Sequence, residues 1–189
     1  MSEACKLSNA ALWAAEPYMK AGVSTKEIDH VIHKFIVQAG AKPSFLGYAG
    51  FPASACISLN DQVIHGIPSS RVILKEGDVV SVDVGAYYNG FHGDNAYTFR
   101  VGEVTQEADQ LLRVTEESLM KGIQQAKAGN RIGDISNAIQ TYTESFGYGV
   151  VREYIGHGVG RELHEDPEVP NFGKPGRGMR LVPGMTIAV

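Results

Sequence analysis

The chain has 189 residues, of which 43% are hydrophobic and 20% charged, a composition that predicts a folded domain and excludes general disorder. Its net charge of −4 argues against a nucleic-acid partner and against binding to an anionic membrane. The longest apolar runs are too short to cross a bilayer, and no basic and apolar leader opens the sequence, which together favour a cytoplasmic protein.

The first predicted elements are two helices. One is expected over residues 3–20 from its apolar face. The second begins at Ser24, because Ser24 and Glu27 form a capping-box pattern, and it stops at Gly40. The sequence then predicts a loop at 43–53, rich in glycine, proline and aromatic residues. Two short strands are expected after it, at 54–59 and 62–65.

Residues 78–100 carry the clearest hairpin pattern, two β-rich runs around the turn Asn89-Gly90. Pairing the strands about this turn places Asp83 and Asp94 as diagonal neighbours on one face. Two carboxylates held together among valines repel each other unless they are protonated or bridged by a cation, and a divalent metal ion is the natural bridge. A hairpin whose aspartates face solvent is the alternative.

Three histidines lie at the ends of predicted strands or in glycine-rich turns. His157 stands between glycines, His164 follows it in the same loop, and His65 ends a short strand. An imidazole in such a place suits a metal ligand or a catalytic donor, although each histidine alone is better explained as an exposed turn residue. After the hairpin, the sequence predicts two helices, at about 105–127 and 132–146, and then a strand at 149–155. A glycine-rich loop at 156–180 and the start of a strand at 185–189 follow.

An internal repeat organises these elements. A shift of 107 residues places residues 20–22 on 127–129, Ile28 on Ile135, Ile32 on Ile139, Gly40 on Gly147, Leu74 on Leu181 and Gly77 on Gly184. The repeat predicts one domain, 1–189, built from two α/β halves at about 1–102 and 103–189, each with two helices and a strand hairpin. Because Asp83 shifted by 107 falls directly after Val189, we expect the second half to be incomplete in this chain and to continue with a carboxylate.

Three segments of the chain, VIHGIP, VVSVDVGAYYNGFHGDNAYTF and VVREYIGHGVGRELHEDP, together resemble the type I methionine aminopeptidases. The resemblance runs along essentially the whole chain. It implies the pita-bread fold, an α/β (α+β) architecture of two pseudo-symmetric halves. It also implies a metal-dependent exopeptidase that removes the initiator methionine from nascent proteins. Two divalent ions (Co, Mn, Fe or Zn) would supply the bound water or hydroxide that attacks the first peptide bond.

The resemblance also implies roles for individual residues. Asp83, Asp94 and His157 would bind metal. His164 would polarise the scissile carbonyl, and His65 would hydrogen-bond the substrate backbone beyond the scissile bond. The pocket for the methionine side chain would be lined by Tyr48, Phe51, Cys56 and Leu163, together with the two substrate-facing histidines. Two further glutamate ligands of the family would lie after residue 189.

Two other functions stay open. A proline-specific aminopeptidase or dipeptidase of the same fold would share the aspartates and the histidine. A pita-bread binding module without activity is expected if the chain truly ends at residue 189, because three ligands alone would bind metal weakly. The expected partner is a peptide or nascent protein that begins with methionine, bound close to the ribosome. The protein is expected to be a monomer that binds neither nucleic acid nor membrane.

Overall fold

The computed structural model describes all 189 residues, which form two compact units. The first unit comprises Met1–Ala108 with Gly160–Leu163, and the second comprises Asp109–Val159 with His164–Val189. No helix is both long enough and apolar enough to cross a membrane. The helices are α1 Ser2–Ala14, α2 Thr25–Gln38, α3 Gln106–Ile123 and α4 Ile132–Ser145. The strands are β1 Lys42–Pro43, β2 Ala55–Leu59, β3 Val79–Tyr88, β4 Phe91–Arg100, β5 Gly156–Gly158, β6 Glu165–Val169 and β7 Ile187–Ala188.

The two N-terminal helices begin and end for reasons that can be traced to single residues. The capping box at the start of α2 is confirmed, since the Ser24 N–H donates to Glu27 Oε2 at 2.8 Å and the Glu27 N–H donates to Ser24 Oγ at 3.2 Å. The prediction of one helix over 3–20 is too long. Helix α1 stops at Ala14 and a short 3₁₀ turn, Glu16–Tyr18, follows, because Pro17 has no N–H to continue the α-helical ladder.

Strand β3 organises the sheet of the first unit, pairing antiparallel with β1, β2 and β4. The predicted hairpin is confirmed in its register, with Tyr88 opposite Phe91 and Gly85 opposite Asp94. Asn89 and Gly90 both have positive φ, 49° and 85°, as this turn requires. The buried face of β3 packs into the core beside helix α2, and the fully buried side chains there include Val80, Val82, Val84, Ile28, Ile32 and Ile36.

Two predicted strands are absent. Residues 62–65 form no strand, because they pair with no neighbouring strand and His65 has a φ of 58°. Residues 149–155 form no strand either, and Val151 stays 46% exposed, so burial gives its β propensity little support. The predicted glycine-rich loop at 156–180 instead contains β5 and β6. Glycines build β5 because a Cβ at Gly156 would lie 2.3 Å from the Ala188 carbonyl oxygen of β7.

The backbone contacts repeat at the offset of 107 residues. In the first unit the Gly22 N–H donates to the Leu74 carbonyl at 2.9 Å, and in the second the Gly129 N–H donates to the Leu181 carbonyl at 2.9 Å. An isolated antiparallel bridge joins residues 24 and 73 in one unit and residues 131 and 180 in the other. The two halves are therefore duplicated in their local contacts as well as in their sequence.

Asp134 ties helix α4 to the loop that follows β6. Its carboxylate accepts the N–H of Arg131 and the N–H of Gly176, both at 2.7 Å, and these bonds lower the pKa of Asp134. We expect Asp134→Ala to lower the Tm at pH 7 by roughly 2–4 °C, because both amides lose a charged acceptor. Since the pKa is lowered in the folded state, this stabilisation is present above about pH 4 and is lost as the pH falls further.

Thermal melts of the variant and the parent protein between pH 7 and pH 3 test this. The difference in Tm should shrink as the pH falls below about 4. Glu144→Ala removes a carboxylate from the last turn of the same helix, where it accepts only an exposed hydrogen bond from Gln140, and its small effect on the Tm should not depend on pH. A Tm difference for Asp134→Ala that does not depend on pH would contradict the assigned role of the carboxylate.

Candidate active site

The hairpin of β3 and β4 brings the two predicted aspartates together. Asp83 lies opposite Ala96 and Asp94 lies opposite Gly85, so the two carboxyl groups are diagonal neighbours on one face and hydrogen-bond to each other. Burial, and then the charge of Asp94, raise the pKa of Asp83 well above its usual range, and the hydrogen bond from the Val84 N–H opposes this only in part. A pair in this state either keeps a proton or takes a cation.

Cys56 lies beside this pair. It is directly opposite Asp83 on β2 and its side chain is only 7% exposed. Burial, followed by the charges of Asp83 and Asp94, raises the pKa of the Cys56 thiol to about 12. The thiol is therefore neutral at physiological pH and acts as a small packed side chain rather than as a nucleophile.

An apolar cluster forms around Cys56, composed of Phe45, Phe51, Cys56 and Leu163. Three of these residues were predicted to line a pocket, whereas Phe45 was not. The sequence feature that could have indicated Phe45 is a glycine on β3. A Cβ at Gly85 would lie 2.6 Å from the Phe45 ring, so the glycine lets the ring pack against the hairpin. Tyr48 lies in a short 3₁₀ helix outside the cluster and is 47% exposed.

His92 connects the carboxylate face to the segments that supply this cluster. It lies two residues before Asp94 on the same face of β4. The ring atom Nδ1 of His92 lies 2.9 Å from Oγ of Ser44, the residue before Phe45. The backbone N–H of His92 donates to the Gly160 carbonyl at 2.8 Å. Both hydrogen bonds hold irregular segments of the first unit in place beside the hairpin.

His65 sits on the exposed side of the first unit rather than at a strand end. Its φ of 58° lies in the left-handed region, which few residues other than glycine adopt. The following Gly66 is buried. A Cβ at Gly66 would lie 2.1 Å from the Ile57 carbonyl oxygen, so no other residue fits at this position.

In the second unit the structure brings His157 and His164 together. His157 lies on β5, His164 directly precedes β6, and their ring centroids are 4.3 Å apart. Nδ1 of His157 lies 2.8 Å from the Gly158 carbonyl oxygen, which accepts a hydrogen bond from it. Metal-binding histidines commonly donate from one ring nitrogen in this way and bind the metal through the other.

Each unit by itself offers donor atoms of kinds that divalent metal ions bind. In the first unit the two carboxylates in mutual contact supply oxygen donors, and in the second unit His157 supplies an imidazole nitrogen. No group of three or more His, Cys, Asp or Glu side chains is arranged to hold a metal ion. The ligand set Asp83, Asp94 and His157 therefore stays a prediction.

A profile of metallopeptidase family M24 matches residues 1–189. The chain belongs to this family. Among curated M24 relatives, the methionine aminopeptidase of Clostridium acetobutylicum is 54% identical over 189 residues, which are 100% of this chain and 76% of that protein. The chain thus spans about three quarters of this relative's length.

Solved M24 structures share the fold. The methionine aminopeptidase of Thermotoga maritima matches with a TM-score of 0.98 and 44% identity, over 100% of this chain and 76% of that chain. The prolidase of Pyrococcus furiosus matches with a TM-score of 0.84 and 25% identity, over 98% of this chain and 52% of that chain. The predicted pita-bread architecture is confirmed, and the methionine aminopeptidase of Thermotoga maritima is more similar to this chain than the prolidase is.

Proposed function

We propose that this protein is a methionine aminopeptidase, a metal-dependent exopeptidase that removes the initiator methionine from nascent proteins. The observation that carries the proposal is the contact between Asp83 and Asp94, beside an apolar cluster, in a chain 54% identical to a methionine aminopeptidase. A buried pair of carboxylates costs stability unless a proton or a cation neutralises it, so it has little reason to persist in a protein that only binds.

The proposed ligands are Asp83, Asp94 and His157, and the metal is Co, Mn, Fe or Zn. When bound, two such ions supply a water nucleophile at neutral pH and Lewis acidity at the scissile carbonyl. The carboxylates supply the negative charge that holds cations in a poorly hydrated place. The hydrogen bond from His157 Nδ1 to the Gly158 carbonyl oxygen would orient the ring so that Nε2 serves as the donor atom for the metal.

The substrate contacts follow from the remaining residues. The apolar cluster, together with Tyr48, would receive the methionine side chain, and the neutral Cys56 thiol is compatible with such a pocket. His164 would stabilise the developing oxyanion, and His65 would hydrogen-bond the substrate backbone beyond the scissile bond. Crowding near these histidines would require a small second residue.

The setting of the reaction follows from the substrate. Initiator methionine is present on chains as they are synthesised, so we place the activity in the cytoplasm and close to the ribosome, on the N-terminus of a peptide or nascent protein. We propose that the protein acts as a monomer.

The test compares two peptides with the protein expressed from its complete coding sequence. We expect manganese- or cobalt-dependent release of methionine from Met-Ala-Ser. The kcat/KM for this peptide should exceed that for an Xaa-Pro dipeptide by roughly a hundredfold or more. EDTA should abolish the release. Faster cleavage of the Xaa-Pro dipeptide would favour the prolidase alternative, whereas no hydrolysis and no calorimetric heat with manganese would favour the binding module.

A further inference from the structure

The outer edge of β2 holds the segment that carries His65. Strand β2 pairs with β3 along one edge, and along the other edge the Ile57 N–H donates to the Gly66 carbonyl at 2.8 Å. The Gly66 N–H in turn donates to the Ser58 hydroxyl oxygen at 3.0 Å. Two hydrogen bonds therefore hold residue 66 against the strand, one from the backbone and one from a single buried side chain.

The backbone at His65 needs such an anchor. A left-handed backbone conformation is unfavourable for a residue with a side chain, and it persists only where the surroundings over-determine it. His65 is exposed and has this conformation. One constraint on it comes from Gly66, which is buried so closely against Ile57 that a Cβ would lie 2.1 Å from the Ile57 carbonyl oxygen.

Ser58 lies on the face of the sheet that carries the carboxylates. Cys56 is opposite Asp83, and Ser58 is opposite Ser81, so side-chain alternation places Ser58 on the same face as Cys56 and Asp83. The Ser58 side chain is 4% exposed, and its hydroxyl oxygen accepts the Gly66 N–H. The hydroxyl group thus connects this face of the sheet to the residue that follows His65.

We propose that Ser58 is a positioning residue for His65. Its hydroxyl fixes the Gly66 amide, and through it holds the strained backbone of residue 65 so that the imidazole is presented in one orientation. The role of His65 towards substrate rests on the proposed function, whereas the anchoring by Ser58 does not. Ser58 itself touches no substrate.

The first experiment measures the anchor directly, by hydrogen exchange of the Gly66 amide in the protein. Ser58→Ala should raise the exchange rate of this amide by at least about tenfold, because it loses its acceptor in a buried place. Ser81→Ala is the matched control. Ser81 is the cross-strand partner of Ser58 on the same face and bonds to Thr98, at 2.8 Å, so its loss should leave the Gly66 rate unchanged.

The second experiment separates positioning from general stability. If His65 contacts the backbone beyond the scissile bond, Ser58→Ala should lower kcat/KM about tenfold for Met-Ala-Ser, as expected for one hydrogen bond of ordinary strength. Methionine p-nitroanilide has no peptide beyond the scissile bond and should lose less than about twofold. Ser58→Thr keeps the hydroxyl and should restore both the slow exchange and the peptide rate.

The outcomes are distinct. An unchanged Gly66 exchange rate in Ser58→Ala would overturn the anchoring. Faster exchange with equal losses on both substrates, or with the same losses in Ser81→Ala, would show that Ser58 is structural only and would overturn the positioning role. If the parent protein releases no methionine, the proposed function fails and with it the kinetic role of Ser58, while the exchange rate still decides whether Ser58 anchors residue 65.

Discussion

Asp83→Asn should make the protein more stable in EDTA and abolish its metal-dependent hydrolysis. Asparagine has nearly the shape of aspartate but no charge, so the variant avoids both the cost of burying a carboxylate and its repulsion by Asp94, the two causes that raise the pKa of Asp83. We expect a rise in Tm of roughly 3–6 °C at pH 8 in EDTA. The carboxylate pair would then cost stability in the metal-free protein and be retained for function.

The same substitution should remove the activity with manganese or cobalt. Losing a residue that hydrogen-bonds to a metal ligand typically lowers metal affinity or activity by about 10–100-fold. Losing a proposed ligand itself should therefore lower kcat/KM by at least about a hundredfold. Asp61→Asn is the matched control, since it removes the same charge from an exposed turn. A lower Tm for Asp83→Asn in EDTA, or near-parent activity, would show that the pair is a structural hydrogen bond rather than a cation site.

Gly158→Ala should have the largest effect on the stability of the second unit. A Cβ at this position would lie 2.2 Å from the Asp166 carbonyl oxygen, and the neighbouring atoms belong to backbone that cannot move aside. Strand β5 would have to separate from β6, so we expect a loss of roughly 3 kcal/mol or more in the free energy of unfolding. His157 is adjacent on the same strand, and its contact with His164 should be lost as well.

Urea unfolding of this variant provides the measurement. Gly149→Ala is the control, because a Cβ there meets no atom within 4 Å and the backbone has no positive φ. It should unfold at the same urea concentration as the parent, or slightly higher through reduced freedom of the unfolded chain. Equal midpoints for Gly158→Ala and the parent protein would contradict the close packing of β5 against β6.

The features that the sequence predicts correctly depend on short-range rules. The turn Asn89-Gly90 sets the register of its hairpin, and the register places Asp83 beside Asp94 without any knowledge of the rest of the fold. The start of α2 at Ser24 depends on a reciprocal pair of hydrogen bonds within four residues. The repeat can also be read from the sequence, because the backbone contacts of the first half recur in the second between residues 107 positions further along the chain.

Features that depend on contacts between distant segments are decided only by the tertiary structure. No local pattern distinguishes the glycines of β5 from a loop, because their strand exists only where β6 and β7 approach closely enough to exclude a Cβ. Phe45 joins the apolar cluster because Gly85, on another strand, leaves room for its ring.

The same division applies to the candidate site. The sequence by itself determined which residues are candidates for the chemistry: spacing about the turn places Asp83 and Asp94 on one face, and His157 stands between two glycines. The tertiary structure decided their state. Burial and proximity raise the pKa values of Asp83 and Cys56, and the distant hydroxyl of Ser58 holds the strained segment at His65. Desolvation and close approach are properties of packed neighbours, which spacing along one chain does not encode.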